Sequence, residues 1–317
     1  MVNGEGVLRG TSAKAILINA VALKWMPPSH KAGRIGLPIV LELYKTGYQV
    51  TVMTRDTAHL TKVPSEIDIK QVDYDSNSSL TEALEGQDAL VSTVAMSAIS
   101  NQPRMIDAAI AADVKVFVPA EYTVNSRDAL AQAQPMMSSV VDIQKYLATK
   151  EDQITWFVIN CGALLELLLD HPVLLDFDNR KATLWDGVEG AISLSNFGLL
   201  ARVVAAVLRS RARVRNHRLK VHGGTITQNR ALEIAKHYSA QHWTAEQADS
   251  QAAYSASVKP LRDGPASTQS SSWESCYQRT TLQASDAGPA ILSRHTPNPT
   301  THGWMLQNLA PERSRKL

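Results

Sequence analysis

Between residues 15 and 160, short apolar runs alternate with segments of helical spacing, and few architectures accommodate that alternation. Ala15–Ala20 (AILINA) has the length and continuous apolarity of a buried parallel strand. Gly33–Gly47 follows, with Ile35, Ile39, Leu43 and Tyr44 on one helical face and Gly47 to end it. Gln49–Thr54 (QVTVMT) and Ile67–Asp73 (IDIKQVD) predict strands, and Ser78–Glu85 predicts a helix with Ser78 as its cap and Leu80 and Leu84 on one face. Strand Ala89–Thr93, helix Gln102–Ala112, strand Lys115–Pro119, helix Pro135–Ala148 and strand Ile154–Asn160 continue the series; Phe197–Leu208 is a strongly apolar helix. Strands alternating with helices of this length form βαβ units. The expected fold is therefore α/β, a doubly wound parallel sheet that presents ligand sites at the carboxyl ends of its strands.

Composition narrows the function classes. A net charge of +2 over 317 residues makes no field that would draw nucleic acid or an anionic membrane. Cys161 and Cys276 are the only cysteines, too few for a disulfide framework or a Cys-rich zinc site, and they suit a reducing compartment, the cytoplasm. No apolar run is long enough to span a bilayer, and MVNGEGVLRGTSAK lacks the apolar stretch of a signal peptide. Residues 259–317 hold seven basic and four acidic residues, six prolines, fourteen Ser/Thr and no Val or Phe. Such a tail cannot bury enough apolar surface to offset chain entropy, and low order is expected there. The expected division is 1–161, 162–258 and this tail.

The first strand-to-helix turn is the place for a phosphate cradle, where glycines let backbone approach a pyrophosphate and the helix N-terminus supplies N–H donors. Gly33-Arg34-Ile35-Gly36 opens the helix with two glycines at suitable spacing, but His30 stands where a third would be. Twelve residues (VALKWMPPSHKA, 21–32) separate Ala20 from Gly33, an insertion where such turns hold only a few. It should form an exposed loop. Arg55 lies 19 residues after Gly36 at the end of the second strand, where a dinucleotide fold meets the adenosine ribose. An acidic residue there accepts the ribose 2′-OH; an arginine instead binds a 2′-phosphate. Lys62 reads equally as a second phosphate contact or as a solvated loop lysine.

The segments GRIGLPIV, VTVMTR, VDYDSNSSLTEALEGQDALVSTV, QPRMIDAAIAADVKVFVPAEY and ITWFVINCG resemble the NmrA-like and isoflavone-reductase-like proteins, atypical short-chain reductases. The stretch from LLDFDNRKATLWDG through LSNFGLLARVVAAVL to GGTITQNRALEIAK is similar to the fungal oxidoreductase branch of that family. The resemblance implies a Rossmann-like NADP-binding domain with a smaller, interwoven C-terminal substrate region. On this basis Gly33 and Gly36 match the second and third glycines of the family's G-x-x-G-x-x-G, Arg55 its 2′-phosphate arginine, and Thr93 a position beside the cofactor. Gln102 matches a glutamine of the next helix. Lys115, Pro119 and Glu121 match the K-[RV]-F-x-P-S-E-[FY] segment, with Ala120 in place of its serine. The family's active-site lysine aligns with Val140, and Lys145 points elsewhere on that helix.

Tyr122 therefore stands as the candidate proton donor, or else as a tyrosine at the rim of the sheet; Asn160 reads as a carbonyl partner or as a turn residue. The buried-type Cys161 lacks an adjacent base in sequence. Two functions follow from the resemblance. One is an NADP-dependent oxidoreductase reducing a small aromatic or polyketide-like secondary metabolite, with no nucleic-acid or membrane partner. The other is a non-catalytic, NADP-sensing regulator that acts on a protein partner; the valine at position 140 favours it.

Overall fold

The computed structural model describes residues 14–18, 34–57, 60, 62–132, 137–170, 174–186, 190–210 and 215–253. The insertion at 21–32, Gly33 and the tail at 259–317 lie outside the described residues, as does the expectation of low order in the insertion and tail. Two compact units emerge, each assembled from three stretches of chain, and they cut across the linear boundary at residue 161.

The first unit comprises residues up to Glu121, Ser139–Ile159 and Phe197–Leu219. Its strands are β1 (Lys14–Ile18), β2 (Gln49–Thr54), β3 (Asp68–Gln71), β4 (Ala89–Ser92), β5 (Val116–Val118), β6 (Thr155–Asn160) and β11 (His217–Lys220). They form one seven-stranded sheet in the order β11-β6-β5-β4-β1-β2-β3. All pairings from β3 through β6 are parallel. β2, β4 and β5 are buried almost throughout, the pattern of strands covered on both faces. Helices α1 (Gly36–Lys45), α2 (Asn77–Leu84), α3 (Gln102–Ala111), α5 (Ser138–Ala148) and α7 (Phe197–Arg209) belong to this unit. The chain leaves β1 toward one edge of the sheet and β4 toward the other, so right-handed crossovers put α1 and α3 on opposite faces. α7 packs on α1, and α2 on α3.

Local chemistry explains these helices. Ile39, Val40 and Leu43 bury one stripe of α1, at roughly 1.5–3 kcal/mol per side chain. That outweighs the ~1 kcal/mol of a side-chain cap, and α1 has none: Ile35 precedes it without a capping hydrogen bond. α2 is capped by Ser76, whose hydroxyl accepts the Ser79 N–H at 3.2 Å. The expected cap, Ser78, lies inside the first turn. Ser76 has the extended backbone a cap requires, which the apolar spacing of Leu80 and Leu84 does not reveal.

The second unit comprises Tyr122–Ser138, Asn160–Asn196 and residues from Lys220 onward. It contains helices α4 (Ala129–Gln132), α6 (Leu165–Asp170) and α8 (Gln228–Ser239) and strands β7 (Ala163–Leu164), β8 (Leu175–Asp176), β9 (Lys181–Trp185), β10 (Ala191–Ser195), β12 (Gly224–Thr227) and β13 (Thr244–Ala248). They make two small sheets, β12-β10-β7 and β13-β9-β8. Leu168, Leu175, Leu184, Trp185, Leu232 and Trp243 anchor their common core. Gly162 adopts φ +70°, and a Cβ there would lie 2.5 Å from the Ser193 carbonyl oxygen, so the close approach of β7 and β10 requires glycine. Among the described residues, no helix is long and apolar enough to cross a membrane.

Candidate functional site

Register aligns three carboxyl ends: Ile18 of β1 pairs with Met53 of β2 on one side and with Ser92 of β4 on the other. The sheet order reverses there, since the chain runs outward from β1 through β2 and β3 and then returns to β4. Open parallel sheets bind ligands at such a switch point. Arg55 and Thr93 are the residues just beyond these ends, so the structure brings both to this edge. Gly36 is buried as the first residue of α1, the helix leading from β1 to β2. With no side-chain cap and no acidic residue in its first turn, α1 leaves backbone N–H donors and the positive end of its dipole for an anion.

Arg55 is exposed and forms no ion pair with the described residues. Its backbone is held on both sides. The Thr54 hydroxyl donates to the Asp56 carbonyl at 2.8 Å and accepts the Asp56 N–H at 3.1 Å. The Gln71 Nε2 donates to the Arg55 carbonyl at 3.0 Å. Burial pushes the nearby Tyr74 phenol up, and the Arg55 charge pulls it partly back. Lys62 lies exposed on the β2–β3 connection and makes no hydrogen bond or ion pair among the described residues. Arg34, within the glycine turn, sits 5.7 Å from the centroid of the Phe197 ring, at the start of α7.

Beyond β5, the chain is fixed by polar groups that are themselves buried. Gln102 accepts the Ala120 N–H at 2.8 Å, tying the start of α3 to the exit from β5. Glu121, 3% exposed, accepts both carboxylate contacts from Gln144 Nε2 at 2.8 Å, and Arg218 Nη1 stands 3.8 Å from its Oε1. Arg218 also lies 5.7 Å from the Trp156 ring centroid. Sequence reasoning missed Gln144 and Arg218. The signal for Gln144 was present: it interrupts the buried stripe of Val140, Ile143 and Leu147 on α5, and a polar side chain there requires a partner.

Tyr122 follows in irregular chain, four residues past the end of β5. It is half-buried, and desolvation first, with the neighbouring Cys161 second, pushes its phenol far above the ordinary range. Cys161 is fully buried, and desolvation raises its thiol to about 12, which leaves it inert as a nucleophile. Its N–H and that of Gly162 both donate to the Thr123 carbonyl, at 2.9 and 3.2 Å. Asn160 is buried, its carbonyl accepting the Val221 N–H at 2.9 Å. Val140 is 2% exposed among the core residues of α5, whereas Lys145 is exposed and paired with Asp142 at 3.6 Å.

A parallel sheet with this strand order, with a helix that has no side-chain cap and an arginine after the second strand that has no ion pair among the described residues, has the layout of a dinucleotide-binding edge. Comparison with known proteins agrees. Residues 32–165 match a family model described as NAD(P)H-binding, and this part of the chain is an NAD(P)H-binding domain. The oxidoreductase aprR of Aspergillus flavus is 25% identical over 221 residues, covering 68% of this chain and 74% of its own. Two solved structures share the fold. Isoflavone reductase has a TM-score of 0.65 at 14% identity, covering 86% of this chain and 89% of its own. Leucoanthocyanidin reductase of Vitis vinifera, solved as a binary complex with NADPH, reaches 0.69 at 12%, covering 90% and 95%. The fold is thus isoflavone-reductase-like, and the part of the chain that matches the NAD(P)H-binding model is its parallel-sheet portion.

Proposed function

We propose that the protein is an NADP-dependent oxidoreductase that reduces a small aromatic or polyketide-like substrate in the cytoplasm. The observation that carries the cofactor preference is Arg55, an exposed guanidinium beyond β2 with no carboxylate partner among the described residues. That donor set fits a 2′-phosphate and not a bare ribose. The A. flavus oxidoreductase supports the redox class, and the substrate class rests on family resemblance.

When bound, the nicotinamide cofactor supplies a hydride. The chain's own contribution is binding, orientation and a proton. The first turn of α1 offers N–H groups to the pyrophosphate, Gly36 keeps that turn open to close approach, and Thr93 borders the same edge. Burial disfavours the Tyr122 phenolate, so the phenol stays protonated and can hydrogen-bond a substrate carbonyl as the candidate proton donor. The buried Val140 favours a second reading, a non-catalytic NADP-sensing regulator, because no amine stands at that position on α5.

Two measurements test the proposal on purified protein. Titration should show NADPH binding preferred over NADH, and Arg55→Glu should weaken NADPH about tenfold or more while sparing NADH. Equal losses for both would mean that Arg55 only holds its loop. NADPH oxidation with small carbonyl or enone substrates should then be observed; binding without turnover would replace the enzyme with the sensor.

A further inference from the structure

We propose that Gln71, the last residue of β3, is a positioning residue for cofactor choice: its carboxamide holds the Arg55 backbone so that the guanidinium stands where a 2′-phosphate is met. The inference rests on the reading of Arg55 given above, and it adds a residue that contacts no ligand itself.

Hydrogen bonds among the described residues tie down the segment after β2. Val72 N–H donates to the Thr54 carbonyl at 2.8 Å, extending the β2–β3 pairing one step past the end of β3. The Thr54 hydroxyl closes a local turn with both backbone groups of Asp56. Between them, the Arg55 carbonyl is held at 3.0 Å by Gln71 Nε2, and Gln71 belongs to the neighbouring strand, directly opposite Thr54 in register. The first two ties fix the residues on either side of Arg55; among the described residues, the third is the one that reaches Arg55 itself. Among the described residues Arg55 has no ion pair, so its backbone tie is the contact that sets where its side chain starts from. The neighbouring Tyr74 hydroxyl donates to the Met53 carbonyl at 3.0 Å, tying the same stretch of β2 to the chain after β3.

This arrangement makes a distinctive prediction. An arginine that must meet a phosphate with two parallel hydrogen bonds loses them when its backbone rotates. A group that binds both cofactors through their shared ADP portion loses nothing from the same rotation. Removing the Gln71 amide should therefore lower the preference for NADPH over NADH, not the affinity for both.

The test is a double-mutant cycle on the full chain, with NADPH and NADH titrated separately against wild type, Gln71→Leu, Arg55→Leu and the double variant. Gln71→Leu should cut the NADPH-to-NADH affinity ratio about threefold or more, as loss of one net hydrogen bond implies, with NADH affinity and Tm unchanged. In the Arg55→Leu background the same change should have no further effect, since the group it positions is gone. Equal weakening of both cofactors by Gln71→Leu, or an unchanged ratio, overturns the positioning role while leaving the Arg55 reading intact. An Arg55→Leu protein with the wild-type ratio overturns the reading beneath it, and the proposal with it. Adenosine 2′,5′-bisphosphate against 5′-AMP, titrated in parallel, should reproduce the pattern without any nicotinamide chemistry; if it does not, the effect lies away from the 2′-phosphate and the proposal fails.

Discussion

Arg218→Met removes the cation beside Glu121 while keeping most of the aliphatic volume over Trp156. In the native protein the Glu121 carboxylate is almost wholly buried, 3.8 Å from Arg218 Nη1 and with 2.8 Å contacts to Gln144 Nε2. At about 4 Å and an effective dielectric of ~20, the pair attracts by ~4 kcal/mol. Removing one member of a buried pair costs about 3–5 kcal/mol, because the other charge stays desolvated. Here the separation is at the long end and the Gln144 contacts persist, so we expect about 2–3 kcal/mol. Urea unfolding at 25 °C, followed by circular dichroism and extrapolated linearly, measures it. Adding Glu121→Gln removes the second charge while retaining an amide for Gln144, and should recover at least half of the loss. A cost below about 1 kcal/mol for Arg218→Met, or a double variant as unstable as the single one, would refute the view that this pair holds the chain beyond β5.

Val140→Lys should cost a few kcal/mol of stability, because a 2%-exposed helix position would then hold an amine that burial disfavours when charged. If the enzyme reading is right, NADPH oxidation by this variant should be unchanged or higher; an increase from zero would identify the natural chain as the sensor. Gly162→Ala should cost more than about 1 kcal/mol, from its positive φ and the 2.5 Å approach of Cβ to the Ser193 carbonyl, seen as a lower Tm. Cys161, its thiol raised from 9.0 to about 12, should resist alkylation at pH 8 in the folded state. The same shift leaves stability unaffected below pH 9 and lowers it as pH rises from 9 toward 12, where the unfolded chain loses the proton first. Cys161→Ala should flatten that alkaline decline in a pH series of urea titrations.

The alternation of strands and helices was legible along the chain because apolar period is a local property. QVTVMT emerges as a strand with the same bounds in sequence and structure, and Ile39 and Leu43 face inward as their spacing requires, whereas Tyr44 of the same expected face is exposed near the end of α1. Arg55 could be singled out for the same reason: its place is counted from a glycine turn and the end of a strand. Other features depended on contacts between residues remote in sequence. Ser76 and not Ser78 caps α2, because the cap depends on which residue leaves the helix with extended backbone. Phe197–Leu219 joins the first unit although it follows much of the second, since α7 finds its apolar surface on α1. Gln71 meets the Arg55 carbonyl only through the pairing of β2 with β3, and Glu121 finds Gln144 and Arg218 only once α5 and β11 are in place. Sequence by itself determined the strands and helices of the parallel sheet and placed Arg55 at the end of β2. Which polar groups hold that edge was decided by tertiary structure, because a donor or acceptor meets whatever strand pairing and packing bring beside it, and no local pattern encodes that neighbour.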